Sequence, residues 1–461
     1  MLISIDIGST WTKGALFSVR EGKLFAERRE ATATTTEDLS IGFSEVLERL
    51  RLTAYANTPV LCSSSAHGGL KIAAIGLVPD LTVESARLAA LSAGGKLIKA
   101  YSYRLNKSDI REIEASSPDI VLLTGGTDGG NQSYILHNAE LLAQSSLDCA
   151  ILYGGNRDLQ DDIRRILGAK KLLVTANVLP DLNRPSPDEA RDVIRETFMS
   201  HIIQGKGLQS VVEITGSAPV PTPAAVFDYV ELLRGENIFR GDFAFIDMGG
   251  ATTDYYSSVS PSSNDKVIRK GIKEPPVKRS VEGDLGMRVS ALSALESDRA
   301  MLIGEAESRG IEGEEFLSYL SRVNAETEYI PESSEEKKID ALLAGFCTAT
   351  TTVRHGGTRR EVYTTSGSAI IETGRNLTNI KTIIGTGGYL AAMGDNPFSH
   401  YPVPPVTAEG EEILSPSEYH YYSDRQYLIP LLANAARLYP KEAAAALKPY
   451  LEENKGFNGG N

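Results

Sequence analysis

Cysteine is scarce in this chain of 461 residues, and its three copies form no recognisable pattern. Cys62, Cys149 and Cys347 lie far apart, their number is odd, and no Cys-x-x-Cys pair occurs. This disfavours a disulfide scaffold or a zinc ribbon and is typical of a protein from a reducing compartment. The six histidines include no His-x-x-x-His pair, so we expect no transition-metal site.

Long apolar runs and an excess of basic charge are also missing. No stretch approaches the 18 consecutive apolar residues of a membrane-spanning helix. The net charge is −13 and there is no long basic run, which disfavours nucleic acid as a partner. The first six residues are typical of a β-strand and have neither the basic nor the apolar region of a signal peptide. We therefore expect a cytoplasmic protein that contacts no membrane.

The apolar content, 41% of residues, is sufficient for two or three domain cores at this length. Residues 1–57 are predicted to form strands joined by tight turns, followed by a helix. Residues 58–176 alternate short apolar strands with helices, which predicts a parallel α/β sheet of flavodoxin-like character. A second hairpin-rich unit is predicted to start at Phe243, and a solvated turn at 332–338. Further helices are predicted at 187–204, 224–234, 282–310, 313–324 and 337–352.

One seven-residue pattern occurs twice, at positions 6 and 247, which are 241 residues apart. Asp6-Ile7-Gly8-Ser9-Thr10-Trp11-Thr12 aligns with Asp247-Met248-Gly249-Gly250-Ala251-Thr252-Thr253, and each copy follows an apolar strand. The separation is too large for an array of small repeats and indicates two similar domains. Glycines let backbone N–H groups approach a phosphate, and an Asp at the strand end can hold hydrated Mg²⁺ or orient a water. Two such hairpins facing each other would hold the β- and γ-phosphates of one nucleotide.

A third glycine-rich element, Gly385-Thr386-Gly387-Gly388, follows a predicted strand at 380–384 and precedes a predicted helix. Glycines at this place would let an adenine and its ribose lie flat against the backbone.

The two hairpins and this third element, in this order, resemble the ATP-binding superfamily of actin, heat-shock chaperones and sugar kinases. A closer resemblance is to the MutL (GlmL) family, which accompanies glutamate mutase and related cobalamin-dependent aminomutases and is unrelated to the mismatch-repair protein of that name. It covers most of the chain. The segments that carry it are 6–10, 63–70, 123–131, 247–254, 281–288 and 354–357.

This resemblance implies an α/β fold of two actin-like (ribonuclease H-like) domains around a nucleotide cleft, with an inserted flavodoxin-like α/β domain. It implies ATP and Mg²⁺ as ligands, with Asp6 and Asp247 as the catalytic and metal-binding carboxylates. The expected domains are I at 1–57 and 177–236, the insert at 58–176, II at 237–455, and a disordered tail at 456–461. The residues expected to contact the nucleotide are Gly8, Ser9, Thr10, Thr12, Lys13, Gly249, Gly250, Thr252, Gly385, Gly387 and Gly388.

Members of the family are taken to be ATP-dependent reactivating or chaperone-like factors. The resemblance thus implies an ATPase that acts on the subunits of an adenosylcobalamin-dependent aminomutase of the glutamate mutase type. Hydrolysis would drive domain closure and the release of inactive cobalamin. Two alternatives stay open. One is a small-molecule kinase of the same superfamily, with Asp284 as its candidate base, and the other is a nucleotide-gated assembly protein with little turnover.

Several further motifs have a structural interpretation that we favour over a functional one. Glu282 and Asp284 lie in an acidic, glycine-interrupted turn, where an N-cap or a charged turn is favoured over catalysis. His355 is expected to be buried and hydrogen-bonded. His67 is not expected to bind cobalamin, because the Asp-x-His-x-x-Gly pattern of cobalamin-carrying domains does not occur. The glycine-rich loop at 125–130 lacks P-loop and dinucleotide spacing, which favours a turn or a docking surface.

Overall fold

The computed structural model describes residues 1–35, 38–52, 57–65, 70–182, 184–203, 208–261, 267–364 and 367–454. These residues form four β-sheets with helices packed on and between them. None of the helices among them combines the length and the apolar surface that crossing a membrane requires. His67 and the predicted tail at 456–461 lie outside the described residues.

The first sheet opens with the predicted hairpin. Its elements are β1 (Leu2–Ile7), β2 (Trp11–Arg20), β3 (Lys23–Ala33), α1 (Leu39–Arg51) and β4 (Val60–Ser64). All six residues of β1 are buried, because it pairs antiparallel with β2 on one side and parallel with β4 on the other. The Asp38 side chain caps α1 by accepting from the Ser40 N–H, and the helix buries an apolar stripe against the sheet.

The second sheet is parallel throughout. Its elements are β5 (Lys71–Gly76), α2 (Glu84–Ser92), β6 (Lys96–Ser102), α3 (Lys107–Ser116), β7 (Ile120–Leu123), α4 (Ser133–Gln144), β8 (Ala150–Tyr153), α5 (Gln160–Ile166) and β9 (Leu172–Val174). The strand order β6-β5-β7-β8-β9 is 2-1-3-4-5 in chain order, which is that of flavodoxin-like doubly wound sheets. We call this stretch the parallel unit. One of its faces shares a hydrophobic core with the first sheet, so Ile72 and Ile120 lie in the same cluster as Ile5.

The chain then returns to the first sheet. The elements are α6 (Asp188–Ile203), α7 (Leu208–Thr215), β10 (Val220–Pro221) and α8 (Thr222–Gly235). β10 pairs parallel with β4 and completes the order β10-β4-β1-β2-β3. This sheet therefore has three antiparallel strands followed by two parallel ones, in the order 3-2-1-4-5.

The second half of the chain repeats this topology. Its elements are β11 (Asp242–Met248), β12 (Thr253–Ser258), β13 (Val267–Lys270), β14 (Val277–Glu282), α9 (Ala291–Ser297), α10 (Arg299–Ser308), α11 (Gly313–Ala325), α12 (Ser334–His355), β15 (Thr358–Thr364), β16 (Gly367–Thr373), β17 (Ile380–Thr386), α13 (Gly388–Met393), β18 (Glu412–Ile413), β19 (His420–Ser423), α14 (Ile429–Ala435), α15 (Pro440–Tyr450) and β20 (Glu452–Asn454). The order β14-β12-β11-β17-β19 is again 3-2-1-4-5, with β20 added at the edge. The expected α/β fold of two actin-like domains is confirmed by this repeated order.

The two halves also share a hydrophobic core. α8 and α14 lie in one hydrophobic cluster with residues of both sheets, such as Phe17 and Phe245. Although α14 follows β19 of the second sheet, its Leu431 carbonyl accepts a hydrogen bond from the Ser4 hydroxyl of β1 at 2.9 Å. The halves are thus packed together along their central helices, and the domain boundaries drawn from the sequence stay a prediction.

Two local predictions were wrong. The single helix expected at 282–310 is two helices, α9 and α10, because Asp298 interrupts it and caps α10 by accepting from the Met301 N–H. The solvated turn expected at 332–338 is the start of α12, where Ser333 and Glu336 form a capping box.

Candidate functional site

The two aligned hairpins have the same turn. The Gly8 N–H donates to the Trp11 carbonyl at 3.1 Å, and the Gly249 N–H donates to the Thr252 carbonyl at 2.9 Å. The strand register repeats as well, because Asp6 pairs with Lys13 and Asp247 pairs with Asp254. The sequence repeat therefore corresponds to a repeat of backbone structure.

Both turns line one cavity of about 190 Å³. Of the residues expected at the nucleotide, the structure brings these together on its wall: Gly8, Ser9, Thr10, Lys13, Asp247, Gly249, Gly250, Thr252, Gly387 and Gly388. The wall thus combines backbone turns from both halves with the glycine-rich element after β17. Trp11 also contributes to it and is 46% exposed.

Three of the expected residues do not line this cavity. Asp6 is fully buried behind the first turn. Thr12 is also fully buried, and its hydroxyl lies 2.9 Å from that of Thr34. A Cβ at Gly385 would lie 1.9 Å from the Tyr421 hydroxyl, so the missing side chain makes room for that tyrosine. A phosphate contact by Thr12 and an adenosine contact by Gly385 have no geometric support.

Gly387 is fixed by a close approach between strands. Its φ is 95°, and a Cβ there would lie 2.2 Å from the Met248 carbonyl oxygen at the end of β11. Only glycine combines this left-handed conformation with that contact. A Cβ at the neighbouring Gly388 would meet nothing within 4 Å, so this residue leaves open space at the cavity wall.

The Asp6 carboxylate is oriented by three hydroxyl groups. It accepts from Ser63 at 2.6 Å, from Thr222, and from Tyr427 at 3.3 Å. Burial raises the pKa of Asp6, while these hydrogen bonds and the charge of Lys13 lower it. Asp6 is thereby held in one orientation at the base of the first hairpin.

Asp247 differs from Asp6 because it faces the cavity and, within the described residues, accepts no side-chain hydrogen bond. Burial raises its pKa to about 7, and repulsion from Asp254 and Asp6 adds to the shift. No group of three His, Cys, Asp or Glu side chains suited to a metal occurs in the described part of the chain. Mg²⁺ at nucleotide sites takes one or two carboxylates together with phosphate oxygens, and the unpaired oxygens of Asp247 fit that requirement.

Lys13 and Tyr427 complete the first side of the cavity, and the charge of the buried Asp424 acts on Lys13. The Lys13 ammonium lies 3.1 Å from the centre of the Tyr427 ring, and burial lowers the pKa of Lys13. Asp424, fully buried, accepts from the backbone N–H groups of Leu428 and Ile429 and from the Thr386 hydroxyl. Neither Tyr427 nor Asp424 belongs to a motif, so sequence reasoning missed both.

Sequence reasoning also missed an ion pair on the second side. The Arg279 Nε donates to Asp254 Oδ1 at 2.7 Å, and both side chains are nearly fully buried. Asp254 was detectable, since it aligns with Lys13 in the repeat, whereas Arg279 carries no local signal. The cavity wall here also includes Lys96, which comes from the parallel unit.

The remaining motifs have structural roles in the fold. One guanidinium nitrogen of Arg354 donates to Glu282 and Asp284 at 2.8–2.9 Å. Asp284 does not line the cavity, and no helix begins there, which leaves a charged turn. His355 lies 2.7 Å from the hydroxyls of Ser257 and Ser280, and burial lowers its pKa well below the usual value.

The glycine-rich loop at 125–130 is held by its own neighbours. The Asn156 side chain accepts from the Gly129 N–H at 3.2 Å and donates to the Gly130 carbonyl at 3.3 Å. Asn177 donates to the Gly126 carbonyl at 3.0 Å. These bonds match the interpretation of the loop as a structural turn.

Comparisons with solved structures give distant similarities only. Acetone carboxylase in its nucleotide-free form is 12% identical with a TM-score of 0.35, over 94% of this chain and 70% of that one. Xylulose kinase from Bifidobacterium adolescentis is 11% identical with a TM-score of 0.31, over 99% and 94%. A glycerol dehydratase reactivase is 12% identical with a TM-score of 0.32, over 94% and 100%. The fold is therefore assigned from the strand order.

Sequence comparisons are far more specific. The profile of the family described as MutL protein matches residues 2–451. Protein MutL from Clostridium tetanomorphum is 34% identical over 460 residues, which cover 97% of this chain and 98% of that protein. The chain therefore belongs to the MutL protein family.

Proposed function

We propose that this protein is an ATPase that reactivates an adenosylcobalamin-dependent aminomutase of the glutamate mutase type. The observation that carries the proposal is the meeting of two equivalent Asp-Gly hairpins on one cavity. Backbone N–H groups in glycine-rich turns bind phosphate oxygens, so two such turns on one cavity favour a ligand with several phosphates. The glycines at 387 and 388 leave space beside them for a nucleoside.

Hydrolysis follows from the placement of Asp247. With a pKa of about 7, its carboxylate can orient a water and accept its proton as the oxygen attacks the γ-phosphorus. The bond from that phosphorus to the β,γ-bridging oxygen breaks, and the products are ADP and inorganic phosphate. Asp247, together with Asp6, would hold Mg²⁺, which neutralises developing phosphate charge when bound. Asp247 would hold the metal in its hydrated form, which leaves the carboxylate free to accept the proton of the attacking water, whereas the oxygens of Asp6 already accept three hydroxyl groups.

The nucleotide can act on a partner protein only if ATP and ADP make different contacts with this protein. ATP and ADP differ by a phosphoryl group that both hairpins can touch only when the cleft is closed. A ligand that contacts one conformation better than another shifts the equilibrium between them. Family membership supports aminomutase subunits as the partner and loosening of inactive cobalamin as the result. We place this activity in the cytoplasm, with neither nucleic acid nor a membrane as a partner.

Nothing in the site favours the kinase alternative. Its candidate base, Asp284, is held by Arg354 and lies outside the cavity wall. A base for phosphoryl transfer must reach the acceptor hydroxyl within hydrogen-bond distance.

The test is release of cyanocobalamin from a loaded aminomutase of this type, followed by absorbance with ATP, with ADP and without nucleotide. We expect release with ATP and little with ADP or none. Asp247→Asn is expected to bind ATP yet release no cobalamin, because the carboxylate that handles the water is lost. Equal release under all three conditions would contradict the reactivating role, and a phosphorylated small molecule would favour a kinase.

A further inference from the structure

The parallel unit contributes a turn of its own to the cavity. Gly94 and Gly95, between α2 and β6, and Lys96, the first residue of β6, line the same cavity as the two hairpins. No sequence motif marks this turn, and it lies in a different sheet from either hairpin.

The turn is held from both halves of the molecule. One guanidinium nitrogen of Arg279, on β14, donates to the carbonyls of Leu91 at 2.7 Å and Gly95 at 3.3 Å. On the other side, Gly94 has a φ of 88°, and a Cβ there would lie 2.9 Å from that of Pro221. The backbone that carries Lys96 is thus fixed against both halves.

The Lys96 side chain has a dedicated space. A Cβ at Gly283 would lie 2.3 Å from the Lys96 ammonium nitrogen. Gly283 does not adopt a left-handed backbone conformation, so no backbone requirement explains glycine there. The missing side chain makes room for the ammonium group.

This ammonium has no counter-ion of its own. Lys96 is half-buried, and among the residues that the structure describes no carboxylate lies within ion-pair distance of it. Burial raises the pKa of Asp254 and the charge of Lys96 opposes that shift, but Arg279 already neutralises this carboxylate. A partly desolvated cation without a partner is costly, and an anionic ligand in the cavity would remove that cost.

We propose that Lys96 binds the terminal phosphate of the nucleoside triphosphate and thereby couples occupancy of the cavity to the position of the parallel unit. The inference rests on the proposed ATP site and adds the residue that distinguishes ATP from ADP. Lys13 belongs to the first hairpin. Lys96 belongs to the parallel unit, so its contact with the terminal phosphate would connect the nucleotide to a different sheet.

The test compares ATP and ADP affinities by calorimetry for the wild type, Lys96→Met and Lys99→Met. Lys99 is the matched control, since it lies on the same strand but is exposed and pairs with Glu112 at 3.6 Å. Because Lys96→Met removes a charge-assisted contact with the phosphate, we expect its affinity for ATP to be about 10–100-fold lower than that of the wild type. ADP binding should change less than about threefold, and Lys99→Met should match the wild type in both affinities.

A second variant keeps the charge. Gly283→Ala places a methyl group where the ammonium lies, so it should weaken ATP binding more than ADP binding without removing the lysine. Lys96→Arg should retain part of the ATP preference.

Hydrogen exchange in residues 91–99 should slow with a non-hydrolysable ATP analogue in the wild type and not in Lys96→Met.

The outcomes separate the two proposals. Suppose that the wild type binds ATP, and that Lys96→Met and Gly283→Ala both keep its ratio of ATP affinity to ADP affinity. That result overturns the role of Lys96 but not the proposed function. Absence of any ATP binding by the wild type overturns the proposed function and this inference together.

Discussion

Asp247 is the carboxylate whose protonation changes near neutral pH. Its pKa in the folded protein, about 7, exceeds the ordinary value of 3.8 because of burial and three neighbouring carboxylates, those of Asp254, Asp6 and Asp424. The folded state therefore binds this proton more tightly than the unfolded chain does. Stability from this group is greatest below pH 4 and is lost as pH rises from about 4 to about 7.

Asp247→Asn is accordingly expected to stabilise the protein without nucleotide at alkaline pH. At pH 8 the amide removes the repulsion with Asp254 and Asp6, and the free energy of unfolding should rise by about 1–3 kcal/mol. At pH 5, where the wild-type carboxyl is largely protonated, the two proteins should differ little. Urea unfolding at both pH values measures this, and an equal effect of the substitution at pH 5 and pH 8 would contradict it.

In the wild type, the same pKa predicts the pH profile of hydrolysis. The carboxylate form of Asp247 in the free protein grows as pH rises through 7, so kcat/KM for ATP hydrolysis, which reports groups of the free enzyme, should increase between pH 6 and pH 8. A kcat/KM that is flat or falls across this range would show that ionised Asp247 does not take part.

At the scale of elements, the end of β17 depends on one glycine. Gly387→Ala would place a Cβ 2.2 Å from the Met248 carbonyl oxygen at a φ of 95°, so β11 and β17 must separate. We expect a loss of at least about 2 kcal/mol in the free energy of unfolding, and loss of nucleotide binding.

Gly388→Ala is the matched control, because it adds the same methyl group one residue later and meets nothing within 4 Å. Its unfolding free energy should stay within about 0.5 kcal/mol of the wild type. Equal destabilisation by the two substitutions would contradict the close approach at Gly387.

Elements with a strong local pattern were predictable from the sequence. α8 and α11 were predicted within about two residues of their observed bounds, because their apolar spacing is a local pattern. The sheet β13-β16-β15-β18 was not predicted. Three of its strands, β13, β15 and β18, are charged or very short, and β13 pairs with β16 about a hundred residues further on. Register between such distant segments is set by tertiary packing.

Some residues of the candidate site were also predictable from the sequence, and others were not. The hairpins and Gly387 were found because the turns carry glycine and the pattern repeats. Arg279, Lys96 and Tyr427 were not, because each reaches the cavity from a separate sheet or loop with no motif of its own. Thr12 and Gly385 were assigned to the nucleotide by their position in a motif, and these two contacts stay a prediction, since Thr12 is fully buried and Gly385 makes room for Tyr421.

At the scale of the whole molecule, Arg279 joins the two halves next to the cavity. It pairs with Asp254 on β12 and donates to the Leu91 carbonyl of α2 and to the Gly95 carbonyl of the turn between α2 and β6. Because the parallel unit shares a core with the first sheet, movement of β14 relative to that turn is movement between halves.

Arg279→Met is expected to destabilise the protein by about 3–5 kcal/mol, since it leaves the Asp254 carboxylate buried without a counter-ion. Adding Asp254→Asn should recover part of that loss, because the uncompensated charge is gone. Urea unfolding of the two single variants and the double variant measures the coupling. Strictly additive losses would show that the pair does not act as a unit.

The central claim is that the two equivalent hairpins bind one triphosphate from opposite sides. A crystal structure with Mg²⁺ and a non-hydrolysable ATP analogue tests it directly. We expect backbone N–H groups of both the Gly8–Thr10 and the Gly249–Thr252 turns within about 3.5 Å of oxygens of the same triphosphate. A triphosphate bound by one hairpin alone, or outside the cavity between them, would contradict the account.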